Sequence, residues 1–271
     1  MNPQSHVQHH YSSPNLLTRI QSSLREAGLA ESFLDWSQLA PLDQFHLRGL
    51  PATRELAESL RPEPGESILD IGAGLGGPAR YLASTHHCRV TGIDLTPHFA
   101  AIANYLSLRT GLAAHFLAAH ALHMPFAGES FHHAWTQHAA MNIPDKPRLY
   151  REVHRVLKPG GRFAIYDVLQ GEAEPVIYPV PWARDASLSF LVTPAEISQA
   201  LRDAGFTELC SRDTSAITLD WLDRQPAANP TPLNLSLIIG PETPQLLANI
   251  ARNLRERRIR LFQIVVSKPP V

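Results

Sequence analysis

The chain has 271 residues, 44% of them hydrophobic, and a formal net charge of −1. That length supports one substantial core, and the near-neutral balance leaves no electrostatic footprint for nucleic acid or an anionic membrane. No apolar run approaches ~18 residues, so nothing reads as spanning a bilayer. With only Cys88 and Cys210 and no apolar signal core at the start, a reduced, cytoplasmic setting is expected.

In chain order, Ser13 reads as a helix N-cap and Pro14 as the first helical position, with Leu16, Leu17, Ile20 and Leu24 on one face and a stop near Gly28. Residues 32–49 are mixed and broken by Pro41, and 50–61 form a further helix. Residues 1–62 thus read as a helical lid ahead of a main domain at 63–271. From Ser67 the texture changes. SILDI (67–71), RVTGID (89–94), AHFLAAH (114–120), FHHAWTQ (131–137), RFAIYDVL (162–169) and IRLFQIVVS (259–267) read as strands. Helices are predicted at 76–85, 97–110 and 146–157, with an irregular link at 121–130. Thr193 as N-cap, Pro194 at the first position and Glu196 at the third open another helix, which leads to a strand near 206–213. Strands alternating with helices predict an α/β fold: a doubly wound, mostly parallel seven-stranded sheet. Residues 214–258 read as an insertion over the C-terminal strand ends, suited to a lid or an interface. A monomer and a homodimer are both compatible with this layout.

The stretch ILDIGAGLGGPARYLA (68–83) places Gly72, Gly74, Gly76 and Gly77 after the first of these strands. Glycine there permits positive φ and close backbone approach to a ligand, and the following helix offers free N–H groups. By itself this is equally an ordinary strand–helix turn. Asp94, at the end of the second strand, sits where an acid binds ribose hydroxyls. The competing reading, a helix cap, is disfavoured because Thr96 before Pro97 supplies a cap of its own. A dinucleotide turn wants Gly-x-Gly-x-x-Gly, whereas here the spacing is Gly72-x-Gly74-x-Gly76, with Asp70 two residues ahead. That acid suits an amino-acid ammonium better than a pyrophosphate. A nicotinamide-dependent oxidoreductase remains an alternative, weakened by that spacing and by the lack of a Tyr-x-x-x-Lys pair.

Taken with VTGIDLT, ALHMPFAGESF and EVHRVLKPGGRFAIYD, the turn resembles the class I S-adenosylmethionine-dependent methyltransferases over residues 67–168. GLGGPARYLA, MNIPDK and YPVPWA are similar to its small-molecule branch, the sarcosine/dimethylglycine, sugar and tocopherol type. The resemblance implies a Rossmann-like methyltransferase fold and S-adenosylmethionine as cofactor. It implies Gly72, Ala73 and Gly74 under the methionine part, Asp70 near its ammonium, Asp94 on the ribose and Leu95 against the adenine. Ala121 would present its N–H to the adenine ring. Gln137 and His46 would lie at the cofactor, with the segment around His46 and Arg48 closing over its methionine end. Arg48 would pair with the cofactor carboxylate or be a surface charge. Where the family usually has an aspartate for the adenine amino group, this chain has His120. A neutral imidazole accepting through one nitrogen would preserve that contact. A lost contact would fit a repurposed fold that binds a ligand without methyl transfer. LKPGG (157–161) is a turn before the fifth strand, a fold feature.

The acceptor is expected at the C-terminal strand ends. His138 after the fourth strand and Asp167 in the fifth are expected to approach each other as a general-base pair; the alternative is that His138 packs and Asp167 caps a loop. Tyr178, Trp182 and Phe190 are candidates for an aromatic acceptor lid or for loop packing, and Asn142 for acceptor binding. The reading is methyl transfer to an oxygen or nitrogen of a small molecule. The histidine pairs 9–10, 86–87 and 132–133 have no partner motif, and adjacent strand residues face opposite ways, so no metal site is expected.

Overall fold

The computed structural model describes residues 6, 8, 10, 11, 15–30, 33–224 and 231–270. The expected cap at Ser13 and Pro14, and His9, lie outside them. Helix α1 (Leu16–Glu26) buries Leu16, Ile20 and Leu24. Helix α2 (Trp36–Asp43) runs through Pro41 where a break was expected. A capping box between Asp35 and Gln38 starts it, and burial of Leu39 and Leu42 holds it. Helix α3 (Gly49–Leu60) follows.

Seven strands make one sheet: β1 (Ser67–Ile71), β2 (Arg89–Asp94), β3 (Ala114–Ala118), β4 (Phe131–Gln137), β5 (Leu157–Gln170), β6 (Thr207–Asp213) and β7 (Ile259–Ser267). Their order is β3-β2-β1-β4-β5-β7-β6. β1 through β5 pair in parallel, and β7 inserts antiparallel to both β5 and β6. The strand reversal between β1 and β4 creates a switch point at the C-terminal edge. LKPGG is part of β5 and not a separate turn; its Leu157 pairs with Phe131 before a register shift.

Helices α4 (Gly77–Thr85), α5 (Pro97–Thr110) and α6 (Lys146–Val156) make the crossovers. Alternation along the strands feeds two cores. One face buries Ile68, Val90, Trp135, Ala164 and Tyr166; the other buries Leu69, Ile71, Ala134, Phe163 and Ile165. Helix α7 (Pro194–Asp203) carries the expected Thr193–Glu196 capping box. Between β6 and β7 lie α8 (Ser215–Asp223), α9 (Ser236–Ile239) and α10 (Thr243–Arg255). Among the described residues no helix is long and apolar enough to cross a membrane.

Candidate active site

At the C-terminal ends of β1 to β4 the chain forms a cavity. Its floor is the turn after β1. Gly72 has φ 75°, and a Cβ there would meet the Ala139 Cβ at 2.3 Å, so only glycine fits. Gly74, at φ 53°, has nothing within 4 Å of a built Cβ, leaving its backbone open to a ligand. Both amides of Gly72 and Ala73 donate to the Ile93 carbonyl, which fastens the turn to the end of β2.

Asp94 stands beside that turn. Its Oδ2 accepts from the Gly74 N–H at 2.9 Å and its Oδ1 from the Thr96 N–H at 2.8 Å. The expected division of labour is therefore corrected. The Thr96 side chain makes no cap bond, and Asp94 itself organises the helix entry. A carboxylate two residues ahead reaches that N–H in an Asx-type turn, which a β-branched hydroxyl here does not match. Each carboxylate oxygen keeps a second lone pair, so Asp94 can still accept two hydroxyls from the cavity. Burial raises its pKa, opposed by these same N–H groups.

The walls continue through Leu95, His120 and Ala121 on one side and His138, Asn142 and Ile143 on the other. Tyr11 closes the cavity, its hydroxyl donating to the Asn142 Oδ1 at 2.9 Å. Nearby, the Gln8 amide donates to the Leu95 carbonyl at 2.8 Å. No sequence pattern marked Tyr11, because its neighbours here are about sixty and more residues away. Asp70 and Ala73 are buried beneath the turn and off the cavity wall. Burial pushes the Asp70 carboxyl up to about 7, and its Oδ2 has no partner.

His138 and Asp167 do not pair. The His138 N–H donates to the Tyr166 carbonyl at 2.8 Å, and its ring lies 4.8 Å from the Tyr166 ring. Asp167 is the next residue along β5, so its side chain emerges on the opposite face of the sheet. There it accepts from the Val168 N–H at 2.9 Å. Burial raises its pKa to about 7, opposed by Lys146 and by the amides of Val168, Met141 and Ala140. It supports the 3₁₀ turn at Ala140–Asn142, whose carbonyl at Ala140 also accepts from the Lys146 Nζ at 2.7 Å. His138 adopts φ 49°, a left-handed conformation that a non-glycine residue rarely keeps without a local reason. Its Nε2 is buried without a partner, and burial together with His46 holds the ring well below the usual histidine pKa.

His46 is off the first cavity. Its Nε2 lies 3.1 Å from the Gly49 carbonyl and 3.0 Å from the Thr53 hydroxyl, and burial lowers its pKa to about 4. The Thr53 hydroxyl also donates to Gln44 at 2.6 Å and lies 3.5 Å from Gln137 Oε1, so Gln137 belongs to this buried polar knot. The knot faces a second cavity, walled by Gln44 and His46, by Trp221 and Leu222 of α8, and by Leu247 and Ala251 of α10. The Gln44 Nε2 is buried and unpartnered. The His46 and His138 rings are 6.0 Å apart, so this pair lies where the two cavities approach each other.

The expected aromatic lid does not line either cavity. Trp182 is 2% exposed, its indole donating to the Ser189 hydroxyl, and it packs as core. Tyr178 packs against the same cluster, and the Phe190 backbone bonds to Met141 and Lys146. Asn142 does line the first cavity, but its amide donates to the carbonyls of Trp182 and Leu188, which makes it a brace as well. Arg48 is buried and paired with Glu55, and is neither a surface charge nor on the first cavity's wall. His132 and His133 bond to Ser67 and Glu66 at the other end of the sheet. Among the described residues no three His, Cys, Asp or Glu side chains gather as a metal site.

Residues 69–165 match the family described as a methyltransferase domain. The chain is 28% identical to phosphoethanolamine N-methyltransferase 1 of Arabidopsis thaliana over 177 residues, covering 65% of this chain and 36% of that protein. It is 39% identical to squalene methyltransferase 1 of Botryococcus braunii over 114 residues, covering 41% and 30%. The matched segment thus spans about a third of the length of these curated relatives. Among solved structures, a geranyl diphosphate C-methyltransferase from Streptomyces coelicolor A3(2) superposes with a TM-score of 0.70 at 17% identity, over 99% of this chain and 98% of that one. That likeness extends the fold beyond the segment that sequence identity reaches.

Proposed function

We propose, from the match of residues 69–165 to the methyltransferase-domain family, that this chain transfers a methyl group from S-adenosylmethionine to an oxygen or nitrogen of a small molecule with a largely apolar body. The observation that carries this is the first cavity. It begins at the left-handed glycine backbone of Gly72, passes a carboxylate with lone pairs to give at Asp94, and ends at His120 and Ala121. Those groups fit an amino acid, a ribose and a base in that order. When bound, the cofactor supplies an electrophilic sulfonium methyl.

The chain's own residues supply position and a proton acceptor. Gly72 and Gly74 leave room for the backbone to lie against the cofactor, Leu95 gives an apolar contact, and Tyr11 with Asn142 excludes water from above. The acceptor enters from the second cavity, whose apolar walls end in the polar groups of Gln44 and His46. For a hydroxyl acceptor, His138, on the first cavity's wall with an unpartnered Nε2, would take the hydroxyl proton as the bound cofactor supplied its methyl group. A ring held neutral by burial is available for that role across the ordinary pH range. A neutral amine needs no such base, only alignment.

A second reading, ligand binding without methyl transfer, draws on one observation: among the described residues no carboxylate backs His138 to stabilise an imidazolium. Calorimetric titration with S-adenosylmethionine, S-adenosylhomocysteine and NAD tests the first reading. Micromolar binding of both adenosyl compounds and none of NAD is expected. Failure of both to bind overturns it, and binding without turnover across an acceptor screen favours the second reading.

A further inference from the structure

The order β3-β2-β1-β4 lays the first cavity out along the sheet edge. The glycine turn follows β1, Asp94 ends β2, and His120 lies just past β3. A ligand whose amino-acid end rests on the turn and whose ribose rests on Asp94 therefore brings its base to His120.

The hydrogen bonding of His120 sets what it can do there. Its Nδ1 accepts from the Leu122 N–H at 2.9 Å. A ring nitrogen that accepts from an amide carries no proton, so the neutral ring's proton is on Nε2. Protonating the ring would break the Leu122 bond and still leave Nε2 a donor. Burial, with His123 and Arg148 nearby, favours the neutral ring. Nε2 is buried and has no partner in the chain. An unpartnered buried donor is costly and is relieved by a ligand acceptor.

We infer that His120 donates from Nε2 to an acceptor atom on the purine edge, so that this site reads a ring nitrogen or a carbonyl and does not read an exocyclic amine. This corrects the expectation that His120 accepts from the adenine amino group: the nitrogen able to accept is already occupied by Leu122. A carboxylate in its place can only accept and reads the amine instead. The consequence is a site that tolerates a 6-oxo purine about as well as a 6-amino purine. The inference rests on the proposed cofactor and deepens it by naming which polar edge of the base is recognised.

The test compares binding of S-adenosylhomocysteine with its deaminated analogue, S-inosylhomocysteine, by calorimetry. In the wild-type protein the two dissociation constants are expected within about threefold of each other, and His120→Asp is expected to shift the ratio about tenfold or more toward the adenosyl compound. A wild-type preference of about tenfold for the adenosyl compound overturns the inference while leaving the cofactor assignment standing. So does a ratio that His120→Asp leaves unchanged. Binding of neither compound to the wild type removes the cofactor assignment and this inference together. Nitrogen-15 shifts of the His120 ring give a readout independent of any variant: the Nε2–H tautomer is expected, and the Nδ1–H tautomer overturns the inference.

Discussion

The two cavities are built in different ways. The first is lined almost entirely by residues between 71 and 143, at the ends of adjacent parallel strands, and its shape comes from backbone: a left-handed turn, a strand terminus and the amides they expose. The second gathers residues from 40 to 255, and its walls are helix side chains from the lid and from the β6–β7 insertion. A site made by backbone at a topological switch point is set once the sheet forms. A site made by packing helices is open to change without disturbing the sheet. The names of two relatives carry acceptors as different as phosphoethanolamine and squalene.

The separation is bridged by one buried ion pair, and breaking it has the largest expected effect. Arg80 of α4 donates to Asp43 at the end of α2 at 2.7 Å, and the two side chains are 0% and 1% exposed. Arg80 also holds the Leu75 carbonyl of the glycine turn and, through α5, Ala103 and Ser107. Arg80→Met leaves a carboxylate buried alone and is expected to cost about 3–5 kcal/mol in chemical denaturation. The double variant Arg80→Met, Asp43→Leu is expected to recover most of it. A loss under about 1 kcal/mol would mean that the cavities are held independently.

His138 stands between the cavities, and its replacement sharpens the comparison. His138→Ala is expected to lower turnover of a hydroxyl acceptor by about 10²–10⁴-fold while the donor's dissociation constant moves by less than about threefold. Equal losses in both would assign the ring to packing.

The smallest expected effect separates the two regions by pH. Asp70 lies under the first cavity with its pKa raised to about 7. A carboxyl with a folded pKa above its unfolded value holds its proton better when folded, so its contribution to stability is lost as pH rises from about 4 through 7. His46, beside the second cavity, is lowered to about 4 and acts oppositely: the folded state gains stability as pH rises from about 4 to 6.5. Asp70→Asn is therefore expected to gain about 2–3 kcal/mol relative to wild type between pH 5 and pH 8. An unchanged difference in denaturation midpoints would show that Asp70 titrates normally.

What could be read from residues alone was what neighbours in sequence decide. The strands at 67–71, 89–94, 131–137 and 259–267 and the helix at 97–110 follow from hydrophobic period and from Pro and Gly punctuation, which act within a few residues. Gly72 of the glycine turn and Asp94, read from the residues, line one cavity with Leu95, His120 and Ala121, which the family resemblance supplied, because each lies at or just past the end of a parallel strand. Only the tertiary structure could separate His138 from Asp167, because strand alternation puts consecutive residues of β5 on opposite faces while the residue bonded to His138 is Tyr166. Only it could turn Trp182 inward, bring Tyr11 over Asn142, and draw Gln44, His46, Thr53 and Gln137 into one knot. The Tyr11–Asn142 and Thr53–Gln137 contacts join segments far apart in the chain, and the free energy of all of them depends on packing that no local pattern encodes.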